Sequence, residues 1–154
     1  MPQSYAGVFI HIIFRTKDRY TLIPESLFDE IGSYIGGICR NEKCKLISSG
    51  GMSDHLHLLL SLDREHSISN IVKIIKASSS KWIHEKDNHF RSFSWQAGYG
   101  AFSVSPSVIE SVKKYIANQK EHHRHRSYRE EVIDFLKNYG IEYEEKWLPG
   151  EEGE

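Results

Sequence analysis

The run His55-Leu56-His57-Leu58-Leu59-Leu60-Ser61-Leu62 constrains this chain more than any other stretch. In a strand, successive side chains point to opposite faces, so Leu56, Leu58, Leu60 and Leu62 share one face while His55 and His57 share the other. The leucines can build a core and leave both imidazoles free. Further along, Lys114-Tyr115-Ile116-Ala117-Asn118-Gln119 reads as helix, where residues four apart lie on one face and Tyr115 and Gln119 project side by side. The first stretch looks like a metal site and the second like a nucleophile.

Around these two stretches the periodicity predicts a short series of elements. Residues 5–17 alternate Val8, Ile10, Ile12 and Phe14 against Phe9, His11, Ile13 and Arg15, a strand with Arg15, Lys17 and Arg19 at its far end. Leu27, Ile31, Tyr34, Ile35 and Ile38 mark an amphipathic helix to about residue 41. Gly32, Gly36 and Gly37 each cost it about 1 kcal/mol relative to Ala, so it is either packed very closely there or ends early. Residues 44–51 and 55–62 form a hairpin carrying the histidines, and a second helix runs from Ser67 to about Asp87. Residues 93–104 read as an aromatic fourth strand loosened by Gly98 and Gly100. Ser107 with Glu110 fits a capping box opening a helix over 107–124, whose apolar stripe of Val108, Val112 and Ile116 covers only its first half. A last helix, 128–138, offers Val132, Phe135 and Leu136 as its buried side, and 149–154 reads as a disordered acidic tail. Strand, helix, strand, strand, helix, strand is the order of the α+β ferredoxin-like split βαβ fold: a four-stranded antiparallel sheet with two helices on one face. The tyrosine-bearing helix and a C-terminal helix are additions. The other face, carrying His55, His57 and His11, is expected to stay open for function or a partner.

The chain has 154 residues, 39% of them hydrophobic, which is one domain with an ordinary core, placed at residues 1–148. The net charge of -1 gives no global attraction for a polyanion, so nucleic-acid binding has to rest on local patches. Cys39 and Cys44 are too few for a disulfide framework and read as reduced thiols. No signal peptide and no run of eighteen apolar residues is present, which points to a soluble cytoplasmic protein.

Nine histidines make one His-x-His pair unremarkable, and the spacing alone is equally compatible with a metal pair and with two surface histidines on a strand. The tyrosines give an independent signal. Of the eight, only Tyr115 is followed four residues later by a helical neighbour with a good ligand atom, Gln119. Lys113, Lys114, Lys120, Arg124 and Arg126 read as a solvated helix face. His122 and His123 point about 100° apart on a helix, so with His125 they read as solvent-exposed rather than as a zinc site. Trp82, Trp95 and Trp147 read as core.

With these residues in view, the chain resembles the single-tyrosine transposases of small bacterial insertion sequences, a branch of the HUH endonucleases that includes relatives found at repeated extragenic palindromes. His11-Ile-Ile-Phe-Arg-Thr-Lys-Asp-Arg19, His55-Leu56-His57, Trp95-Gln96-Ala97-Gly98-Tyr99 and Tyr115-Ile116-Ala117-Asn118-Gln119 carry the resemblance over nearly the whole chain. It implies Mg²⁺ or Mn²⁺ held by His55, His57 and Gln119, with Tyr115 attacking a phosphodiester to give a 5'-phosphotyrosine and a free 3'-hydroxyl. It implies single-stranded DNA, folded into hairpins at the element ends, as substrate. Arg15, Lys17, Lys73, Lys76, Lys113 and Lys120 are then candidates for phosphate contacts. It further implies a homodimer in which the tyrosine helix of one subunit can complete the site of the other, and a bacterial protein acting at the nucleoid. The competing expectations are a ferredoxin-like module that binds single-stranded DNA or RNA hairpins without cutting, and a dimeric metal-binding domain with no nucleic-acid role.

Overall fold

The alternating segments pair as their faces require. A computed structural model describes residues 3–17 and 22–148, so Arg19 and the acidic segment 149–154 lie outside the described residues. Its elements are β1 (Phe9–Arg15), α1 (Phe28–Asn41), β2 (Lys45–Met52), β3 (His55–Ser61), α2 (Ile68–His84), β4 (Gly100–Val104), α3 (Ile109–Ala117), α4 (Gln119–His122) and α5 (Tyr128–Asn138). The strands form one antiparallel sheet in the order β2-β3-β1-β4, the split βαβ arrangement expected. Its central strands β1 and β3 are paired along both edges, and this shields the histidine strand from solvent at its sides. The register places Ile13 opposite His57 and Arg15 opposite His55.

One face of the sheet packs beneath α1 and α2. Ile10, Ile12 and Phe14 of β1 and Leu56, Leu58 and Leu60 of β3 meet Ile31 and Ile35 of α1 and Ile71 and Ile75 of α2 in a single apolar core. Ser67 caps α2 by accepting from the Asn70 amide at 3.1 Å. Gly32 decides between the two readings of α1: a Cβ there would stand 2.6 Å from Ser49 Oγ, so α1 continues because it lies tightly on β2. Both thiols are buried and free, and burial pushes Cys39 up to about 11. Among the described residues no helix is long and apolar enough to cross a membrane.

The opposite face is not open. Leu59 shares it with the histidines, and with Val104 it draws in Ile116, Ile109 and Val112 of α3. Ile13 and Phe102 meet Tyr128, Val132, Phe135 and Leu136 of α5 in the same way. The apolar residues on this face are enough to require a cover, and α3 and α5 supply it.

Four further expectations are corrected. The fourth strand begins only at Gly100, because Gly98 adopts φ 90 and breaks the extended run; upstream, Trp95 forms an isolated bridge with Thr16 and turns into the core. Ser107 does not cap the tyrosine helix. Ser105 accepts from the Ser107 amide ahead of a 3-10 turn, Pro106–Val108, and α3 follows without a side-chain cap. The helix expected over 107–124 breaks at Asn118, whose φ of -101 and ψ of 26 separate α3 from α4. Trp147 is 78% exposed rather than core, since the 3-10 turn Glu145–Trp147 lies outside all three apolar clusters that flank the sheet.

Candidate metal centre and nucleophile

Covering the second face buries the polar groups it carries. His55 and His57 are 0% exposed, His11 3%, Gln119 1% and Glu131 3%. Groups buried this far must satisfy one another. Asp54, at the entry to β3, reaches His55 Nδ1 with Oδ1 at 2.7 Å. A carboxylate only accepts, so Nδ1 carries the hydrogen and Nε2 turns its lone pair inward, an arrangement that orients metal-binding histidines. Burial opposes ionisation of Asp54, but the hydrogen bond and charge of His55 and the nearby Arg15 outweigh it and hold the carboxyl below its ordinary range. His57 Nδ1 lies 2.8 Å from His11 Nε2. Burial, with His57 alongside, lowers His11 to about 3, so its ring is neutral and can accept the His57 Nδ1 hydrogen at Nε2. Burial likewise lowers His57 to about 4 against the pull of Glu131.

The inward nitrogens face two oxygens. His55 Nε2 is 3.1 Å from Gln119 Oε1, and His57 Nε2 is 3.0 Å from Glu131 Oε1. Gln119 holds its orientation by turning Nε2 toward the Tyr115 carbonyl at 3.4 Å and Glu131 Oε2 at 3.3 Å. His55, His57 and Glu131 each bring a ligand atom within 4.8 Å of the others, a group able to hold a metal ion. The second oxygen of Glu131 accepts the Tyr115 hydroxyl hydrogen. Burial, then the charge and hydrogen bond of Glu131, raise the Tyr115 phenol well above its ordinary value. Burial would raise Glu131, but its contacts with His123, His57 and Tyr115 hold it far below the usual carboxylate range.

All four site residues expected from the sequence therefore come together within one chain: Tyr115, Gln119, His55 and His57. Tyr115 opens onto a cavity of about 310 Å³ that His11, Arg126, Glu131 and Phe135 help to line. Gln119 also borders a larger groove of about 980 Å³ between α1, β2 and the end of α3. That groove depends on Gly50, where a Cβ would stand 2.5 Å from the Ile116 carbonyl, so only glycine lets the end of α3 lie on β2.

The basic residues are scattered. Lys17, Lys73 and Lys120 are exposed, with Lys120 on the groove. Lys113 pairs with Glu110 at 3.7 Å, Arg15 lies over the Tyr128 ring at 5.8 Å, and Lys76 donates to the carbonyls of Gln96, at 2.9 Å, and Gly98.

Two participants were missed. Glu131 sits within the stripe Tyr128, Val132, Phe135, Leu136 of α5, and a carboxylate inside an apolar stripe was the available signal. His123, read as solvent-exposed, has a side chain 2% exposed and lies against Gln119. It follows Gln119 by the same four residues by which Gln119 follows Tyr115, and the turn after the break at Asn118 keeps that face inward.

Comparison with known proteins identifies the family. The family model described as Transposase IS200 like matches residues 4–119. The ISDra2 transposase TnpA of Deinococcus radiodurans is 25% identical over 116 residues, covering 72% of this chain and 83% of that protein. A transposase for insertion sequence element IS200 from Salmonella typhimurium is 26% identical over 117 residues, covering 72% and 76%. Among solved structures, a Deinococcus radiodurans protein described as a transposase superposes with a TM-score of 0.57 at 26% identity over 77% of this chain and 96% of its own. A REP-associated tyrosine transposase bound to a REP hairpin superposes with a TM-score of 0.59 at 13% identity over 97% and 91%, a likeness of fold. The chain belongs to the IS200-like transposase family.

Proposed function

We propose that this transposase cleaves and rejoins single-stranded DNA by transesterification, with Tyr115 as nucleophile and a divalent cation, Mg²⁺ or Mn²⁺, held by His55, His57 and Gln119. The observation that carries this reading is the Glu131 carboxylate, which touches the inward histidines with one oxygen and the Tyr115 hydroxyl with the other. The donor set of imidazole nitrogens and amide and carboxylate oxygens suits such an ion. When bound, it supplies positive charge that polarises a non-bridging phosphate oxygen.

The chain's own groups do the rest. The Tyr115 oxygen attacks phosphorus as its proton passes to Glu131 Oε2, the bond from phosphorus to the 3' oxygen breaks, and that oxygen leaves as a 3'-hydroxyl after taking up a proton. The DNA remains joined to Tyr115 through its 5' phosphate. Attack by another strand's 3'-hydroxyl reverses the step, and no nucleotide energy source is consumed because one phosphodiester replaces another. Asp54 and His11 hold the two imidazoles in the tautomer that points Nε2 inward. Lys17, Lys73 and Lys120 face solvent, and we assign them to phosphate contacts. The hairpin held by the protein of similar fold makes a folded single strand the substrate to test.

These residues meet within one chain, which supports a site assembled in cis, and a homodimer would then carry two such sites. A second reading, hairpin binding without cleavage, draws on the Tyr115 phenol being raised and held by Glu131. Incubating the protein with a single-stranded hairpin oligonucleotide and Mn²⁺, followed by a denaturing gel, separates the two. A covalent adduct that disappears in Tyr115→Phe, and is not restored by mixing that variant with His57→Ala, is the expected result. Binding without an adduct under any divalent metal would leave only the second reading.

A further inference from the structure

We infer that His123 is a ligand of the same cation, making the centre a three-imidazole site with Glu131 and Gln119 as its oxygen donors. The inference rests on the metal assignment proposed above. With His55 Nδ1 donating to Asp54, and with the His57 proton placed on Nδ1 toward His11 Nε2, the Nε2 atoms of both rings present lone pairs. They point at oxygens that are themselves acceptors, Gln119 Oε1 at 3.1 Å and Glu131 Oε1 at 3.0 Å. His123 Nε2 joins the same two oxygens, at 3.2 Å from Gln119 Oε1 and 3.3 Å from Glu131 Oε1. With the His123 proton likewise on Nδ1, five acceptor-type atoms converge among buried side chains, and a shared cation satisfies all of them at once.

The spacings fit such an ion. Donors about 2.1 Å from one metal stand about 3.0 Å apart at right angles and about 3.4 Å apart at the tetrahedral angle. The contacts just given fall in that interval, and His55 Nε2 to Glu131 Oε1, at 3.7 Å, lies slightly wider. The His123 ring also lies beside that of His55, with centroids 4.6 Å apart, so the break at Asn118 delivers its nitrogen to the cluster instead of to solvent. Three imidazoles favour first-row transition ions such as Mn²⁺ or Co²⁺ over Mg²⁺, whose preference is for oxygen.

The test uses the full chain, stripped by chelation and titrated with Co²⁺ and with Mg²⁺ in equilibrium dialysis, with the visible absorption of Co²⁺ as a second readout. Wild type is expected to take Co²⁺ in preference to Mg²⁺. His123→Ala should weaken Co²⁺ binding by roughly 10- to 100-fold and change the absorption band, as expected for disturbing a metal shell. His123→Gln, which retains a donor, should recover part of the affinity, and His125→Ala, at an exposed position, should match wild type. Circular dichroism establishes that each variant is folded. If folded His123→Ala and His123→Gln both bind Co²⁺ with the wild-type affinity and spectrum while His55→Ala loses it, His123 is not a ligand and the metal site of the proposed function stands. If His55→Ala also binds Co²⁺ as wild type does, the metal assignment itself falls, and this inference with it.

Discussion

The two faces of the sheet are built from the same strands and obey opposite rules. Beneath α1 and α2, Ile12, Leu58, Leu60, Ile71 and Ile75 are wholly buried and make only apolar contacts in one cluster. Beneath α3, α4 and α5, the same strands bury His11, His55 and His57, with Gln119 and Glu131 from the helices above. The first face gains stability from every methylene it hides. The second stays buried only where its polar groups are matched, by hydrogen bonds or by a shared cation, and an unmatched partner there leaves a costly polar group behind. The apolar face therefore holds the strand rigid, and the polar face uses that rigidity to keep several donors aimed at one point.

Changes that separate the faces sharpen this contrast. The largest effect is expected from His57→Ala, which should reduce adduct formation by on the order of a thousandfold, equivalent to roughly 4 kcal/mol, while the protein stays folded. Single-turnover cleavage and circular dichroism measured together check it; a loss of fold instead would mean the two faces are not separable. Leu58→Ala, one residue away on the opposite face, should lower unfolding free energy by roughly 2–5 kcal/mol in urea denaturation. The remaining folded fraction should still bind Co²⁺ with wild-type affinity. Gly50→Ala forces the new Cβ against the Ile116 carbonyl, and we expect about 1–3 kcal/mol of destabilisation together with slower cleavage, since the end of α3 carries Tyr115. Unchanged stability and rate would mean that α3 yields without strain.

The smallest effect concerns pH. Contacts with His123, His57 and Tyr115 overcome burial and hold Glu131 below its ordinary value of 4.5. A depressed carboxyl contributes stability that is fully present above that value and is lost as pH falls below it. Metal-free wild type should therefore lose stability more steeply than Glu131→Gln as pH drops below about 4.5. Parallel melting curves for the two proteins across that range would show that the carboxylate's contacts do not stabilise the fold.

Much of this molecule was legible in local pattern. Alternation in β1 and β3 identified both strands and separated the leucine face from the histidine face, and the last helix runs over Tyr128–Asn138 as its spacing predicts. The pairing of Tyr115 with Gln119 was readable because a helix places residues four apart on one side, a property of the backbone that needs no distant partner. The fourth strand was read too long because its aromatic residues suit a strand, whereas Trp95 serves the core by donating to Ser79 Oγ at 3.0 Å. The open face was an error of the same kind. Leu59 lies among the histidines, and one apolar residue on that side does not by itself reveal which element covers it.

What the sequence determined alone was periodic: which residues are extended or helical, which share a face, and which four are candidates for a metal site and a nucleophile. Only the tertiary structure decided that the histidine face is sealed, that Glu131 joins the metal candidates to Tyr115, and that His123 turns inward. Glu131 lies 74 residues from His57 along the chain, and their contact exists only because α5 settles on Ile13 and Phe102. Periodicity reports the direction of a side chain relative to its own backbone. Which distant group it meets depends on how separate apolar stripes find one another, and that is settled by packing.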